Sequence, residues 1–293
     1  MQTPSIYLRR LSFLIFLLSL SHPSPAATNM IFIDNGQIRL GVKTSSGAGI
    51  AWFSETASSR NLLNHFDHGR LVQQSYYGNK DGSLWVKTPW RWNPVQGGGY
   101  KGKAATVLLL TNSATELYAK VRPRHWATEA DLPDVLMEEK IVLTGRVAHV
   151  HFKVSYSGTN NHVKAAQEIP AFFTEPDLST LVLYDGDKPW TDDHRLNRSQ
   201  PGWPNEGRKI TENWAAYMDE NGIGIGAYVP IADSITCYRY AAGKKSSEGA
   251  CSYFAPITYF AITAGFSFEY DLYITCGTVD QIRRRFVELH SAQ

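Results

Sequence analysis

The sequence predicts an all-β protein, a large antiparallel β-sandwich with one short C-terminal helix. Short apolar or alternating runs separated by Gly, Asn, Asp and Pro recur from Ile31 to Gly277. Two turn motifs are typical of β-hairpins, and only one segment has a clear helical period. No repeat or linker divides the chain, so we expect residues 28–293 to form a single β-sandwich domain.

The N-terminal segment has the order of a secretory signal peptide. Arg9 and Arg10 precede the apolar run Leu11 to Leu20, and small residues follow up to Ala27. A membrane-spanning helix needs about 20 apolar residues, and this run is shorter. We therefore expect residues 1–27 to be a signal peptide, and the mature protein to be secreted into the extracellular space or a bacterial periplasm, without a membrane partner.

Strands are predicted most clearly by two turns and two alternating segments. Asp34-Asn35-Gly36 and Asn221-Gly222 each separate two strand-like runs, as hairpin turns do. In two further segments, apolar residues alternate with polar ones, which predicts half-buried strands. The apolar positions are Ala148, Val150, Phe152, Val154 and Tyr156 in the first segment, and Phe266, Phe268, Tyr270, Leu272 and Ile274 in the second.

The C-terminal helix is predicted from an apolar stripe formed by Val279, Ile282, Phe286 and Leu289. Thr278 and Gln281 complete a capping-box pattern at its start. Residues 283–285 of this helix are three arginines, which we interpret as a solvated face. Since acids and bases are interspersed in the rest of the chain, we expect no nucleic-acid partner, and the oligomeric state is not indicated.

The three cysteines follow the predicted signal peptide. Cys237 and Cys251 flank a turn-rich stretch, and in an oxidising compartment they could pair across two antiparallel strands. Cys276 would then be free and buried as a small apolar residue.

Four polar segments lie where predicted strands end, and each combines aromatic rings with carboxylate, amide or guanidinium groups. They are Asn64 to Gly78, Pro89 to Tyr100, Gln167 to Phe173 with the nearby Tyr184 to Trp190, and Thr211 to Ala216. Loops at strand ends often carry functional residues. A sugar ring stacks its C–H face on an aromatic ring while its hydroxyls bind planar polar side chains, so these segments predict a carbohydrate site.

The order of these motifs, "HFDHGRLVQQSYYG", "WNPVQGG", "QEIPA", "GDKP" and "TENWAA", resembles a family of secreted β-sandwich proteins. The all-β layout is similar to that of the galactose-mutarotase-like super-sandwiches of carbohydrate enzymes. This resemblance implies a super-sandwich-like fold and a carbohydrate substrate. It implies no particular reaction, because the histidine and glutamate pattern of an epimerase does not map onto this chain.

Our first hypothesis is a glycoside hydrolase, which needs two carboxyl groups beside the scissile bond. The candidate carboxylates are Glu168, with Asp67 or Glu212 as its partner. Glu168 precedes the apolar run Ile169 to Phe172, which would desolvate its carboxyl group and raise its pKa. The side chains expected to hold the sugar are Asn64, Arg70, Gln74, Trp92, Asn93, Gln96, Gln167, Lys188 and Trp214.

Two alternatives remain open. A polysaccharide lyase or sugar epimerase would use His68 and Tyr77 for proton transfer, with Arg70 neutralising a uronate. A non-catalytic carbohydrate-binding domain would use the same rings and amides. In a strand from Leu71, residues Gln73, Ser75 and Tyr77 would share one face, and Gln74 and Tyr76 the other.

Structural roles compete with some of these hypotheses. Asp67-His68-Gly69 has the composition of a turn closed by its own side-chain bonds, with Gly69 supplying an unusual backbone angle. His149 and His151 lie on one face of a strand, and a third ligand such as His125 or Glu139 would be needed for a metal site. We interpret these two histidines as solvated, and predict neither a metal nor a cofactor.

Overall fold

The computed structural model describes residues 29–292, and their architecture confirms the predicted all-β class. The signal-peptide prediction falls on residues outside this range and stays a prediction. Within residues 29–292 the strands are β1 Met30–Asp34, β2 Ile38–Lys43, β3 Gly49–Glu55, β4 Gln73–Ser75, β5 Lys80–Trp85, β6 Thr88–Arg91, β7 Pro94–Val95, β8 Thr106–Asn112, β9 Glu116–Arg122, β10 Arg124–His125, β11 Val135–Thr144, β12 Val147–Tyr156, β13 His162–Thr174, β14 Thr180–Leu183, β15 Asn197–Ser199, β16 Glu206–Lys209, β17 Trp214–Met218, β18 Ile223–Tyr228, β19 Ser234–Tyr240, β20 Cys251–Ile262 and β21 Ser267–Thr278. One α-helix, α1 Val279–Ser291, follows the last strand.

Two large antiparallel sheets pack face to face. The seven-stranded front sheet has the order β10-β7-β4-β13-β20-β19-β16, and the nine-stranded back sheet has the order β15-β14-β17-β18-β21-β12-β11-β9-β8. A smaller sheet, β1-β2-β3, is linked to the front sheet by the bridge between Ile50 and Val72, and β5 and β6 form a separate hairpin. Strand β13, which carries Glu168, is therefore the central strand of the front sheet.

The main core lies between the two sheets. The front sheet contributes residues such as Phe172 and Phe254, and the back sheet contributes Val150, Phe152 and Leu272. These side chains are fully buried, so a typical Leu or Phe there contributes about 1.5–3 kcal/mol by leaving water. The alternation predicted for strands β12 and β21 is confirmed, because their apolar positions face this core and their polar positions face outward.

Both predicted hairpins and the C-terminal helix are confirmed. The turns at 34–36 and 221–222 join β1 to β2 and β17 to β18. Thr278 and Gln281 form the capping box, and the apolar face of α1 packs on the outer face of the back sheet. No helix in the described part of the chain is long and apolar enough to cross a membrane.

The interpretation of the arginines 283–285 as a solvated face is wrong for two of them. Arg283 is buried and pairs with Glu212, since the helix rests on that side of the back sheet. Arg285 donates to the Thr275 hydroxyl at 2.8 Å and to the Cys276 carbonyl at 2.6 Å. Both arginines therefore fasten α1 to the sheet.

The expected disulfide between Cys237 and Cys251 is also wrong, because both thiols are free and buried. In the pairing of β19 with β20, Cys237 lies opposite Phe254 and Cys251 lies opposite Tyr240. The two cysteines are offset by three positions, so their side chains project from opposite faces of the sheet. Cys237 packs in the main core, whereas Cys251 packs on the outer face.

Candidate functional site

A cavity of about 390 Å³ opens on the outer face of the front sheet, on the opposite side of the sandwich from the helix. Its floor is the apolar outer surface of strands β13 and β20, including Ala171, Phe173 and Tyr253. Its lining residues share a mixture of aromatic and polar side chains: Asp67, Gly69, Arg70, Gln73, Ser75, Tyr77, Trp85, Trp90, Asn93, Val95, Trp126, Glu168, Ala171, Phe173, Trp203, Asn205, Tyr238, Tyr240 and Tyr253.

Strand β4 presents one face to this pocket, as its alternation predicts. Gln73, Ser75 and Tyr77 line the pocket. Gln74 is buried on the core side, where Tyr76 donates its hydroxyl to the Gln74 amide oxygen at 2.9 Å. Residues 73–77 therefore place alternate side chains in the pocket and in the core.

Glu168 occupies the middle of the pocket floor. Tyr77 donates its hydroxyl to Glu168 Oε1 at 2.8 Å, and Tyr253 forms a second side-chain hydrogen bond to the carboxyl group. Burial among aromatic rings raises the pKa of Glu168, and the two tyrosine hydroxyls offset only part of that effect. No lysine or arginine is bonded to this carboxyl group among the described contacts, so it has the properties of a proton donor.

Tyr77 is held in place through its backbone by the residue that precedes Glu168. The amide of Gln167 accepts from the Tyr77 N–H at 2.7 Å and donates to the Tyr77 carbonyl at 2.9 Å. Gln167 is fully buried and does not line the pocket, so its amide holds the Tyr77 backbone beside Glu168.

Asp67 and Arg70 form a charged pair at the edge of the pocket. Asp67 Oδ1 accepts from the N–H groups of Gly69 at 2.9 Å and Arg70 at 2.8 Å, while Oδ2 accepts from the Arg70 guanidinium at 2.8 Å. The turn predicted for 67–69 is therefore present. Gly69 has no positive φ; instead, a Cβ there would lie 2.5 Å from the Trp126 ring, so glycine allows the close approach of Trp126.

Two aromatic walls face each other across the pocket. The Trp90 wall consists of Trp85, Trp90 and Trp126, with ring centroids of Trp85 and Trp90 4.7 Å apart. The Trp203 wall consists of Trp203, Tyr238 and Tyr240, in which Trp203 lies edge-on to Tyr238 at 4.8 Å. Asn93 orients the first wall, because its side-chain oxygen accepts from the Trp90 indole N–H at 3.2 Å.

The structure does not bring Glu212 and Trp214 to this pocket. Glu212 is fully buried beneath α1 and accepts two hydrogen bonds from Arg283, at 2.9 and 2.6 Å. It also accepts from the Trp190 N–H at 2.8 Å and from the Trp214 indole N–H at 2.8 Å. These contacts occupy both carboxylate oxygens and make Glu212 a structural residue. Lys188 is exposed and lies outside the pocket lining.

His68 and Asn64, from the same segment as Asp67, point away from the pocket. His68 bonds the Gly102 carbonyl through Nε2 at 2.8 Å and the Ser46 hydroxyl through Nδ1 at 2.8 Å. A carbonyl only accepts, so Nε2 carries a proton and donates it to Gly102. Asn64 donates to the Ala250 carbonyl at 2.9 Å and is fully buried. Both side chains fix loops.

Three further residues predicted to bind the sugar lie inside the sandwich. Gln74 donates to the Glu138 carbonyl at 3.0 Å, and Gln96 donates to Glu139 Oε2 at 3.0 Å. Trp92 stacks on His162 with ring centroids 4.1 Å apart. Of the nine predicted substrate-binding residues, Arg70 and Asn93 line the pocket.

The histidines considered for a metal site have other partners. His149 and His151 both bond Asp271 Oδ1, at 2.7 and 3.0 Å, on the exposed face of the back sheet. His125 bonds Asp81 at 2.7 Å. Within residues 29–292, no group of three or more His, Cys, Asp or Glu side chains is arranged to hold a metal ion.

Sequence reasoning missed most of the aromatic walls. Separate strands and loops contribute Trp85, Trp126, Trp203 and Tyr238 to the walls and Tyr253 to the floor, and nothing local marks these residues as neighbours. The alternation along β19 is a partial signal, because it places Tyr238 and Tyr240 on one face of that strand.

Comparison with known proteins agrees with this architecture. No family model and no curated protein matches the chain. Among solved structures, a galactose mutarotase-like protein from Lactobacillus casei aligns with a TM-score of 0.55 at 13% identity, covering 84% of this chain and 99% of the other. A Synechocystis protein gives 0.53 at 13% identity, covering 92% and 100%. A galactose mutarotase related enzyme from Lactobacillus acidophilus gives 0.52 at 9% identity, covering 84% and 97%. The chain therefore has the galactose mutarotase-like β-sandwich fold.

Proposed function

We propose that the protein is a carbohydrate-active enzyme that hydrolyses a glycosidic bond, with Glu168 as the proton donor. One observation carries this proposal: Glu168 is a desolvated carboxyl group, bonded by Tyr77 and Tyr253, at the floor of a pocket walled by aromatic rings. A raised pKa keeps such a group protonated at higher pH, as the general acid of a glycosidase requires.

The chemical step needs two carboxyl groups. Glu168 gives its proton to the glycosidic oxygen, and the bond from that oxygen to the anomeric carbon breaks. Water adds its hydroxyl group to that carbon, and its remaining proton goes to Asp67, the other carboxylate of the pocket. Exchange with solvent then restores both groups.

The charge of the lining favours a neutral sugar. Arg70 is its one cation among the described residues, and Asp67 neutralises it at 2.8 Å. Elimination from a uronic acid needs a cation or hydrogen-bond donor that is free to bind the substrate carboxylate. It also needs a base, and His68, the histidine considered for that role, lies outside the pocket. These observations favour hydrolysis over the lyase alternative. Export of the enzyme by residues 1–27 remains part of the proposal.

A second candidate is anomeric epimerisation of a free sugar. It is favoured by the pairing of Tyr77 with Glu168, since two adjacent proton carriers can exchange protons with the hydroxyl and ring oxygens of one sugar. The three hydrogen bonds that Asp67 already accepts also make it less available as a second catalytic carboxylate. The fold likeness to mutarotase-like proteins is consistent with this reaction.

One experiment separates the candidates. The mature protein is incubated with neutral polysaccharides and oligosaccharides while reducing ends are measured, and with freshly dissolved free aldoses while optical rotation is followed. We expect reducing ends to appear with wild type and to be lost in Glu168→Gln, whereas Glu116→Gln, an exposed acid outside the pocket, stays active. Faster mutarotation without new reducing ends would select epimerisation. Binding without either reaction would select a carbohydrate-binding domain.

A further inference from the structure

The Trp203 wall and Trp126, one residue of the Trp90 wall, are too far apart to contact one sugar. Tyr238 and Tyr240 lie on β19, and Trp126 directly follows β10. These strands are five strand spacings apart in the front sheet, which corresponds to about 24 Å along a flat sheet. A single hexose ring is comparable in size with one indole ring, so it cannot stack on Trp126 and on the Trp203 wall at the same time.

Glu168 lies between the walls. Its strand, β13, is two strand positions from β19 and three from β10. A ligand that contacts both walls therefore places an internal linkage, rather than a chain end, over the carboxyl group.

The rim of the pocket carries aromatic rings that pack on one another or on Arg70 and still remain partly exposed to solvent. Trp203 is 57% exposed, Phe66 is 47% exposed and Tyr240 is 41% exposed. Clustered exposed rings beside a cavity mark a binding surface, because each costs solubility unless a ligand covers it. Asn205 also lines the pocket; its amide nitrogen donates to the Thr236 hydroxyl at 2.9 Å, so its amide oxygen is the atom that can accept from a sugar hydroxyl.

We propose that the pocket binds a neutral glycan chain of at least three sugars, which runs across the strands from the Trp90 wall to the Trp203 wall. This inference rests on the proposed function only in taking the ligand to be a carbohydrate. The sugars at either side stack on the walls, and the linkage between them meets Glu168. Under the proposed hydrolysis, cleavage at Glu168 therefore falls within a chain rather than at its end.

The test measures binding separately from turnover. The Glu168→Gln variant is titrated by calorimetry with glucose, xylose, mannose and galactose oligosaccharides of one to six units, in several linkages, and with oligogalacturonates of the same lengths. We expect affinity to rise at least tenfold from the monosaccharide to the tetrasaccharide in one neutral series. Equal affinity at all lengths, tighter binding of oligogalacturonates, or no binding of any neutral series would overturn the inference.

Two variants locate the subsites. In the Glu168→Gln background, Trp203→Ala is expected to weaken tetrasaccharide binding about tenfold and to leave the weak monosaccharide binding nearly unchanged. Trp203 is exposed, so its truncation leaves the core intact. Tyr259→Ala, an equally exposed ring outside the pocket lining, is the matched control and should bind every ligand normally. Equal losses in both variants would count against a subsite at Trp203.

Failure of this inference is distinguishable from failure of the proposed function. Length-dependent binding by Glu168→Gln with no reducing ends released by wild type would support the extended site and contradict hydrolysis. Cleavage by wild type with no length dependence in binding would do the reverse.

Discussion

Glu168 and Glu212 are both desolvated glutamates next to aromatic rings, but they lie on opposite outer faces of the sandwich and have different bonding partners. Glu212 lies under α1, bonded by Arg283 and by two further N–H groups. Glu168 lies in an open pocket, bonded by tyrosine hydroxyls and by no cation. A buried carboxylate with a matched guanidinium has a structural role, whereas one that pays a desolvation cost beside a cavity is available for chemistry.

A third acid sharpens this comparison. Glu139 is fully buried between the sheets, and its Oε1 has no hydrogen-bond partner in the structure. Burial raises its pKa to about 8, against the opposing hydrogen bond from Gln96. No cation is bonded to it, as at Glu168, but it is fully buried and lies outside the pocket lining. Access to solvent and ligand, in addition to a missing cation, therefore distinguishes the proposed catalytic acid.

The largest expected effect is on activity. Glu168→Gln keeps the shape of the side chain but cannot donate an acidic proton, so we expect kcat/KM to fall about 10²–10⁴-fold. Since Glu168 is desolvated and no cation is bonded to it, the stability of the variant to urea should be unchanged or slightly increased. The measurement is initial rate together with urea unfolding. Activity within threefold of wild type would remove Glu168 from the mechanism.

The opposite pattern is expected for the acid under the helix. Glu212→Gln leaves Arg283 buried without its counter-charge, which should lower the free energy of unfolding by about 3–5 kcal/mol. The fraction that remains folded should keep its kcat, because the pair lies outside the pocket. Urea unfolding measures the loss of stability, and initial rates normalised to the folded fraction measure kcat. A stable but inactive Glu212→Gln protein would reverse the roles assigned to the two glutamates.

Glu139 should make stability depend on pH. Its pKa is about 8 in the folded protein against the ordinary 4.5, so the folded state binds the proton more tightly than the unfolded state. This group's contribution is therefore most favourable below about pH 4.5 and declines as the pH rises to 8, by on the order of 3 kcal/mol at neutral pH.

Urea unfolding of wild type and Glu139→Gln at pH 5, 6, 7 and 8 measures this effect. Glutamine stays neutral and can still accept from Gln96, so the variant should gain stability relative to wild type as the pH rises. A constant difference between the two proteins across this range would show that Glu139 does not titrate there.

The smallest expected effect concerns Tyr77. Its hydroxyl bonds Glu168 and lowers the pKa of that carboxyl group, so Tyr77→Phe should raise it. We expect kcat/KM to fall about tenfold, in keeping with loss of a hydrogen bond to a charged group. If Glu168 is the acid, the alkaline limb of the pH–rate profile should move to higher pH. A shift of that limb to lower pH would contradict this geometry.

Patterns within the chain predicted much of the fold. The alternation in β12 and β21, the turns at 34–36 and 221–222, and the capping box of α1 are local features, and each is present. The division of β4 into a pocket face and a core face also follows from its period of two. The predicted disulfide failed because the register of β19 against β20 depends on the whole sheet.

The candidate site was less accessible to such reasoning. "QEIPAFF" and "TENWAA" both place a glutamate beside aromatic and apolar residues, and nothing local separates them. The difference comes from Arg283, 71 positions from Glu212, which only the docked helix brings into contact. Likewise, Asn93 and Gln96 look equivalent in "WNPVQGG", but strand β7 turns one towards the pocket and the other towards the core.

Because the cysteines are too poorly placed to pair, we expect the stability of this fold not to depend on redox conditions. All three thiols are buried, and burial raises the pKa of Cys237 and Cys251 to about 11 and of Cys276 to about 12, so almost no reactive thiolate is present at neutral pH. The protein should therefore fold in a reducing host without an oxidant. Its thiols should not react with a thiol-labelling reagent until the sandwich unfolds. The rate of labelling would therefore report global unfolding.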